Sequence, residues 1–296
     1  MMAKVEQREV DGPNNVGLFA LQHISMNSII FREAPFYSFN VEIMMHYLTN
    51  ENPTENPSLN AEIRELQLQI AVAHKKYNGE GSSFGEKYPP DARKYLDRMA
   101  SIVAETGFQS ESKEVQDKWL ALHDAHKDIR MDTPVGIFGL NSEKGLSLNG
   151  KIGYCRGFDK SKKRYVIECE KSKLSKTERI LLKKDNLKTI SGIFRSNSFQ
   201  EGLFEKRCRM NHSCNANTKT CSVQEYNQLL GENLTPIHPN EVITFAKRDI
   251  NVEEELTGCY VSYPKRKPVN IRREELSVKY NFTCQCETCG KEHLIE

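Results

Sequence analysis

The stretch YNFTCQCETCG, Tyr280–Gly290, puts Cys284, Cys286 and Cys289 within a few residues of one another. Zinc takes four soft ligands in a tetrahedron, and a CxCxxC bend supplies three thiolates from one short piece of chain. A fourth must then come from elsewhere. The chain has nine cysteines, an odd number that argues against a complete disulfide framework and for metal ligation by a subset. Among the other six, Cys214 in NHSCNAN is the best candidate, because it too sits in a loop beside polar turn residues.

Two further clusters lie upstream. CRMNHSCNANT, Cys208–Thr218, carries Asn211, His212 and Ser213. Read alone these are a polar turn, with His212 able to act as a metal ligand or a general base. NVEEELTGCYVSY, Asn251–Tyr263, follows the strand-like VITFAKRDI and holds Glu255, Leu256, Thr257 and Tyr260. A lone tyrosine at a strand end reads as core or rim packing. Company changes that reading.

Taken in order, GLFA, NSF, NHSCNAN, ITFAKRDINVEEELTGCY and YNFTCQCETC resemble a SET domain followed by its post-SET zinc segment. The likeness covers about residues 5–40 and 191–290 and is nearest to the branch split by insertions, as in SET-and-MYND proteins. No MYND finger is visible in the sequence. The resemblance implies a protein lysine methyltransferase with S-adenosylmethionine as methyl donor. It implies that Asn211 and His212 bind the donor, with Gly17, Leu18 and Asn197 as further contacts and Phe282 against the adenine. Tyr260 corresponds to the catalytic tyrosine, also beside the donor, and Tyr280 to a second tyrosine lining the lysine channel. The implied zinc joins Cys214 to Cys284, Cys286 and Cys289. Two positions depart from the pattern. The glycine loop, usually GxGxFA, here runs Asn15, Val16, Gly17, Leu18, Phe19, Ala20, and asparagine is the next best residue to glycine at positive φ. Cys208 stands where relatives often carry a small hydroxyl residue.

Away from these motifs, Val16 to Phe39 is rich in β-branched and aromatic residues punctuated by Gly17 and Pro35, which reads as a pair of short strands. From Ala61 to Tyr77 and Asp91 to Lys127 the composition turns to helix formers, with Ile63, Leu66, Ile70 and Ala73 at helical spacing, predicting two or three helices. NGEGSS, Asn78–Ser83, reads as a loop. KIGYCRGF, the turn DKSKK, RYVIECE and ILLKK then predict short strands with a hairpin, and LNGKIGYCRGFDKSKKRYV followed by LLKKDNL resembles a small SH3-like barrel. The expected class is α+β. A SET N-terminal part spans 5–40, a helical insertion 41–133, the barrel 134–190, a SET C-terminal catalytic part 191–263 and the post-SET segment 264–296.

Charge is uneven. Lys151–Ile190 carries 13 Lys and Arg against 5 Asp and Glu, a net +8, so the remainder holds −6 of an overall +2. Such asymmetry predicts a module that binds an acidic protein or a nucleic acid. The alternative to an enzyme is a catalytically silent SET-like scaffold or reader acting through this barrel. The polar first residues offer no signal segment, and no apolar run reaches the ~20 residues that span a bilayer. The expectation is a nuclear or cytoplasmic protein with a lysine-bearing protein substrate, histone or non-histone, and no membrane partner.

Overall fold

The computed structural model describes residues 2–10, 16–38, 46–50, 54, 57–77, 90–169, 178–199 and 202–292. Asn15 and the NGEGSS loop lie outside them. The chain forms two compact units, residues 1–38, 121–126 and 196–296 in one, 39–120 and 127–195 in the other.

In the first unit, β1 (Val5–Glu9), β2 (Val16–Ala20), β12 (Glu255–Gly258) and β9 (Asn211–His212) make a four-stranded sheet in the order β1-β2-β12-β9. A second sheet runs β10 (Thr218–Ser222), β11 (Val242–Ala246), β3 (Ile29–Glu33). The expected β segment is thus two strands belonging to different sheets, and the polar text before it supplies a third, β1. Leu18, Ile30, Phe31, Met210, Ile250 and Leu256 form the core, each at most 3% exposed. Burying a side chain such as Phe31 contributes roughly 2 kcal/mol.

Local chemistry sets the element ends. Helix α6 (Val223–Leu230) starts where the Ser222 hydroxyl accepts from Glu225 N at 3.1 Å and ends at left-handed Gly231, φ +69°. Helix α7 (Val269–Tyr280) stops at Asn281, φ +57°, whose Nδ2 donates to Ala125 O at 2.9 Å. That turn redirects the chain so that Tyr280 and Phe282 flank it. Helix α8 (Glu287–Glu292) follows.

The second unit pairs α1 (Pro57–Tyr77) with α2 (Pro90–Ser110), burying Ile63, Leu66, Met99, Ile102 and Val103. Ile70 is half-buried, as its spacing predicts. The helical text ends earlier than its composition suggests: α3 (Lys113–Leu120) closes on buried Trp119, which meets Phe108 edge-on and stacks on Phe194 of α5 (Ile190–Asn197). Between them lie a single helical turn, α4 (Glu143–Leu146), and five antiparallel strands in the order β7-β6-β5-β4-β8. These are β4 (Pro134–Ile137), β5 (Ile152–Asp159), β6 (Arg164–Cys169), β7 (Glu178–Leu182) and β8 (Leu187–Thr189). Gly157 sits at a bulge in β5 with φ +144°, a conformation closed to other residues. In the hairpin, Asp159 Oδ1 accepts from Ser161 N and Lys162 N at 3.0 and 3.1 Å. Part of the basic charge is spent internally: Arg156 bonds Asp132 and Glu168, and Arg179 bonds Glu168. Among the described residues no helix is long and apolar enough to cross a membrane.

Candidate active site

Strand β12 is the spine of the site. It pairs antiparallel with β2, Leu256 opposite Leu18, and parallel with β9, setting Thr257 beside Asn211 and Gly258 beside His212. Asn217 fixes this strand from behind: its Oδ1 accepts from Thr257 N at 2.8 Å while Nδ2 donates to Glu255 O at 2.8 Å and Glu254 Oε1 at 2.9 Å. Glu255 Oε1 in turn accepts from Asn211 Nδ2 at 2.7 Å. Gly17 borders the same oxygen so closely that a Cβ there would lie 2.5 Å from it. Leu18 is core, 1% exposed.

His212 and Tyr260 are joined through the backbone. Tyr260 N donates to His212 Nδ1 at 3.0 Å, so the neutral ring carries its proton on Nε2, which lies 3.4 Å from Cys214 Sγ. Burial, aided by the charge of Arg272, pushes the His212 pKa down to about 4, keeping the ring uncharged near neutrality. The Tyr260 hydroxyl donates to Met210 O. Burial raises its pKa well above the usual phenol range, so it is a neutral hydroxyl. Around it the Tyr280 ring stands 4.7 Å away and the His212 ring 5.3 Å, with Phe282 5.9 Å from His212. Tyr260, Phe199 and Met210 form part of the wall of a cavity of about 220 Å³.

Cys214, Cys284, Cys286 and Cys289 present four sulfurs, all within 4.8 Å of one another, in a group that could hold a metal ion. Cys214 Sγ is 4.0 Å from Cys284 Sγ and 3.5 Å from Cys289 Sγ. The edge of a tetrahedron with sulfur about 2.3 Å from its centre is about 3.8 Å. None of the four is in a disulfide. Arg272, 2% exposed on α7, directs Nη2 to Cys289 Sγ at 3.4 Å and Nη1 to the carbonyls of Pro264 and Lys267.

Asn197 is buried, with Nδ2 donating to His123 O at 2.6 Å and its own carbonyl accepting from the Cys208 thiol at 3.3 Å. Burial pushes that thiol's pKa up to about 12, so Cys208 serves as a neutral donor, which is what a small hydroxyl residue would supply. The structure adds residues that motif reading passed over: the Met210 carbonyl, Asn217 and Arg272. Asn217 carries a weak signal as a polar residue entering a strand. Nothing in NIRREE separates Arg272 from Arg273.

The chain is 28% identical over 105 residues to histone-lysine N-methyltransferase SET5 of Scheffersomyces stipitis, covering 36% of this chain and 19% of that protein. It is 29% identical over 128 residues to the protein of the same name from Eremothecium gossypii, covering 43% and 22%. To SET domain and MYND-type zinc finger protein 6 of Schizosaccharomyces pombe it is 33% identical over 86 residues, covering 29% and 14%. The aligned segments thus span 14–22% of the length of these curated relatives. The SET domain family profile matches residues 15–261, from the residue before β2 to Val261, just past Tyr260, and the chain belongs to the SET domain family.

Proposed function

We propose that the chain transfers a methyl group from S-adenosylmethionine to the side-chain amine of a lysine in a protein substrate. The observation that carries this reading is the buried, neutral Tyr260 hydroxyl beside a side-chain-sized cavity, backed by His212 on β9. The relatives named as histone-lysine methyltransferases make a histone, and hence the nucleus, the first substrate and location to test.

The donor supplies an electrophilic methyl on a sulfonium. The amine must meet it uncharged. A lysine in water titrates near 10.4, so deprotonation at pH 7 costs roughly 4 to 5 kcal/mol, and burial in a cavity walled by Phe199 and Met210 lowers that cost by disfavouring the ammonium. The Tyr260 hydroxyl donates its hydrogen bond to Met210 O, which leaves its oxygen lone pairs to accept an N–H of the amine and so aim the nitrogen lone pair. No strong general base is required, and a neutral His212 with Nδ1 occupied by Tyr260 N is suited to holding backbone geometry. Asn211, His212, Gly17, Leu18, Asn197 and Phe282 are our candidates for donor contacts, and Tyr280 for the channel wall.

The four-cysteine group fits Zn²⁺, since sulfur separations of 3.5 and 4.0 Å bracket a zinc tetrathiolate edge. Held by Cys214, Cys284, Cys286 and Cys289, the ion would tie the segment after α7 to the loop following His212 and so fix Tyr280 and Phe282. The test is incubation of the full chain with labelled donor and a panel of histones and extract proteins, followed by mass spectrometry. Donor-dependent lysine methylation is expected. Failure to methylate any protein despite donor binding would favour the silent-scaffold alternative.

A further inference from the structure

Cations frame the cavity beside Tyr260. Arg207, Lys219 and Lys247 all line it, and among the described residues no carboxylate does. The Arg207 guanidinium lies on the Phe199 ring, 3.7 Å from its centre. Lys247 Nζ donates to the Ala216 carbonyl at 3.0 Å, a neutral partner. Lys219 pairs with Glu225 at 2.9 Å, both side chains being substantially exposed, so its charge is only partly offset. Even with Glu225 deducted, Lys247 leaves the wall positive.

Such a wall acts on whatever enters. It opposes a second ammonium, which favours entry of the amine in its uncharged form, and it attracts carboxylates carried on either side of the entering residue. Basic neighbours would be repelled by the same cations. Resting on the proposal that lysine is the acceptor, we infer that this cavity selects lysines flanked by acidic residues, with Lys219, Lys247 and Arg207 as the specificity-determining groups. The substrate class is therefore a protein segment in which Asp or Glu surrounds the target lysine, in contrast to a polybasic tail.

The experiment uses the full chain and two fluorescent synthetic peptides with one central lysine, flanked by Glu in one and by Arg in the other. Binding is measured at low and moderate salt, and methylation of each bound peptide is read in parallel. At low salt the Glu-flanked peptide should bind about tenfold more tightly, as two to three exposed charge pairs allow, and the margin should shrink with salt. Lys247→Gln should reduce the preference about threefold, while Glu225→Gln, which releases Lys219 from its counterion, should enlarge it about twofold. Glutamine at position 225 leaves the helix start intact, so the second variant reports even where the first perturbs its loop. Equal or tighter binding of the Arg-flanked peptide, or a preference unmoved by both variants, would overturn the inference. Preferential binding without methylation would uphold it and sink the proposed activity instead. Methylation of both peptides with equal kcat/KM would do the reverse.

Discussion

Asn211 Nδ2 donates to Glu255 Oε1 at 2.7 Å, an oxygen that also occupies the space a side chain on Gly17 would need. Three of the family's motifs meet at this carboxylate: the glycine loop, the NHS segment and the ELT strand. Glu255 is therefore a positioning residue for Asn211.

Gly17→Ala should displace that carboxylate and with it Asn211. Because a Cβ would stand 2.5 Å from Oε1, a shift is unavoidable. We expect donor affinity to fall about tenfold, the equivalent of losing one charge-assisted hydrogen bond, with kcat less affected. Calorimetric titration with S-adenosylmethionine reads this. Unchanged affinity would remove Asn211 from the donor site.

Tyr260→Phe keeps the half-buried ring and removes the hydroxyl, leaving the Met210 carbonyl short of one donor at a cost of about 1 kcal/mol in stability. Methyl transfer should fall by about two orders of magnitude or more, because amine alignment is lost, while donor binding persists. Single-turnover rates at saturating donor decide it, and near-normal turnover would shift the role to Tyr280.

The cysteine group should hold one tightly bound zinc per chain. Cys284→Ser should release it and lower Tm, and so should a strong chelator or acidification, because the ligands must be thiolates. Elemental analysis finding no zinc in the wild-type protein, or an undiminished content in the variant, would refute the assignment.

Glu254 supplies a pH signature. Burial alone would raise its pKa, but hydrogen bonds from Arg248, Asn217 and Asn251 N outweigh that and hold it at about 2. A carboxyl depressed in the folded state contributes stability above its unfolded pKa and loses it as pH falls, here from about 5 to about 2. The contribution is roughly 2 kcal/mol once its partial exposure is allowed for. Glu254→Gln should lower stability at pH 7 by about that much and flatten the acid limb of a urea-denaturation series. An unaltered pH dependence would show that Glu254 is not the group responsible.

The hairpin of the five-stranded sheet tests recruitment. Lys162 and Lys163 are exposed at a turn set by Asp159 and by Lys163 at φ +52°, so changing Lys162, Lys163 and Arg164 to Glu preserves the backbone. We expect rates on a macromolecular substrate to fall several-fold, more at low salt, and rates on a short peptide to hold. Equal losses on both would make the sheet a structural support of catalysis.

Much of this was legible in the sequence because it is local. Three cysteines in six residues, Asp159 before its turn, and Ile63 and Leu66 on one helical face all act through neighbours a few residues away. Resemblance supplied the order of the motifs and supported Cys214, chosen from its loop, as partner to a cluster 70 residues further along. Other features had no local pattern. The polar text at Val5–Glu9 became a strand because β2 offered an edge to pair with, and the single strand-rich segment was divided between two sheets. Arg272 reaches a cysteine sulfur from within a helix where Arg273, its neighbour, reads the same.

The sequence by itself determined where the chain turns and that three cysteines fall within one short bend, since propensity, capping and ligand spacing are properties of short segments. Only the tertiary structure decided that the Tyr260 hydroxyl hydrogen-bonds to the Met210 carbonyl, that His212 Nδ1 accepts from Tyr260 N, and that three cations border the cavity. Those relations join residues brought together by sheet pairing across 48 and 50 positions of chain, and distance in space between such residues is fixed by packing of the whole unit, which no short segment encodes.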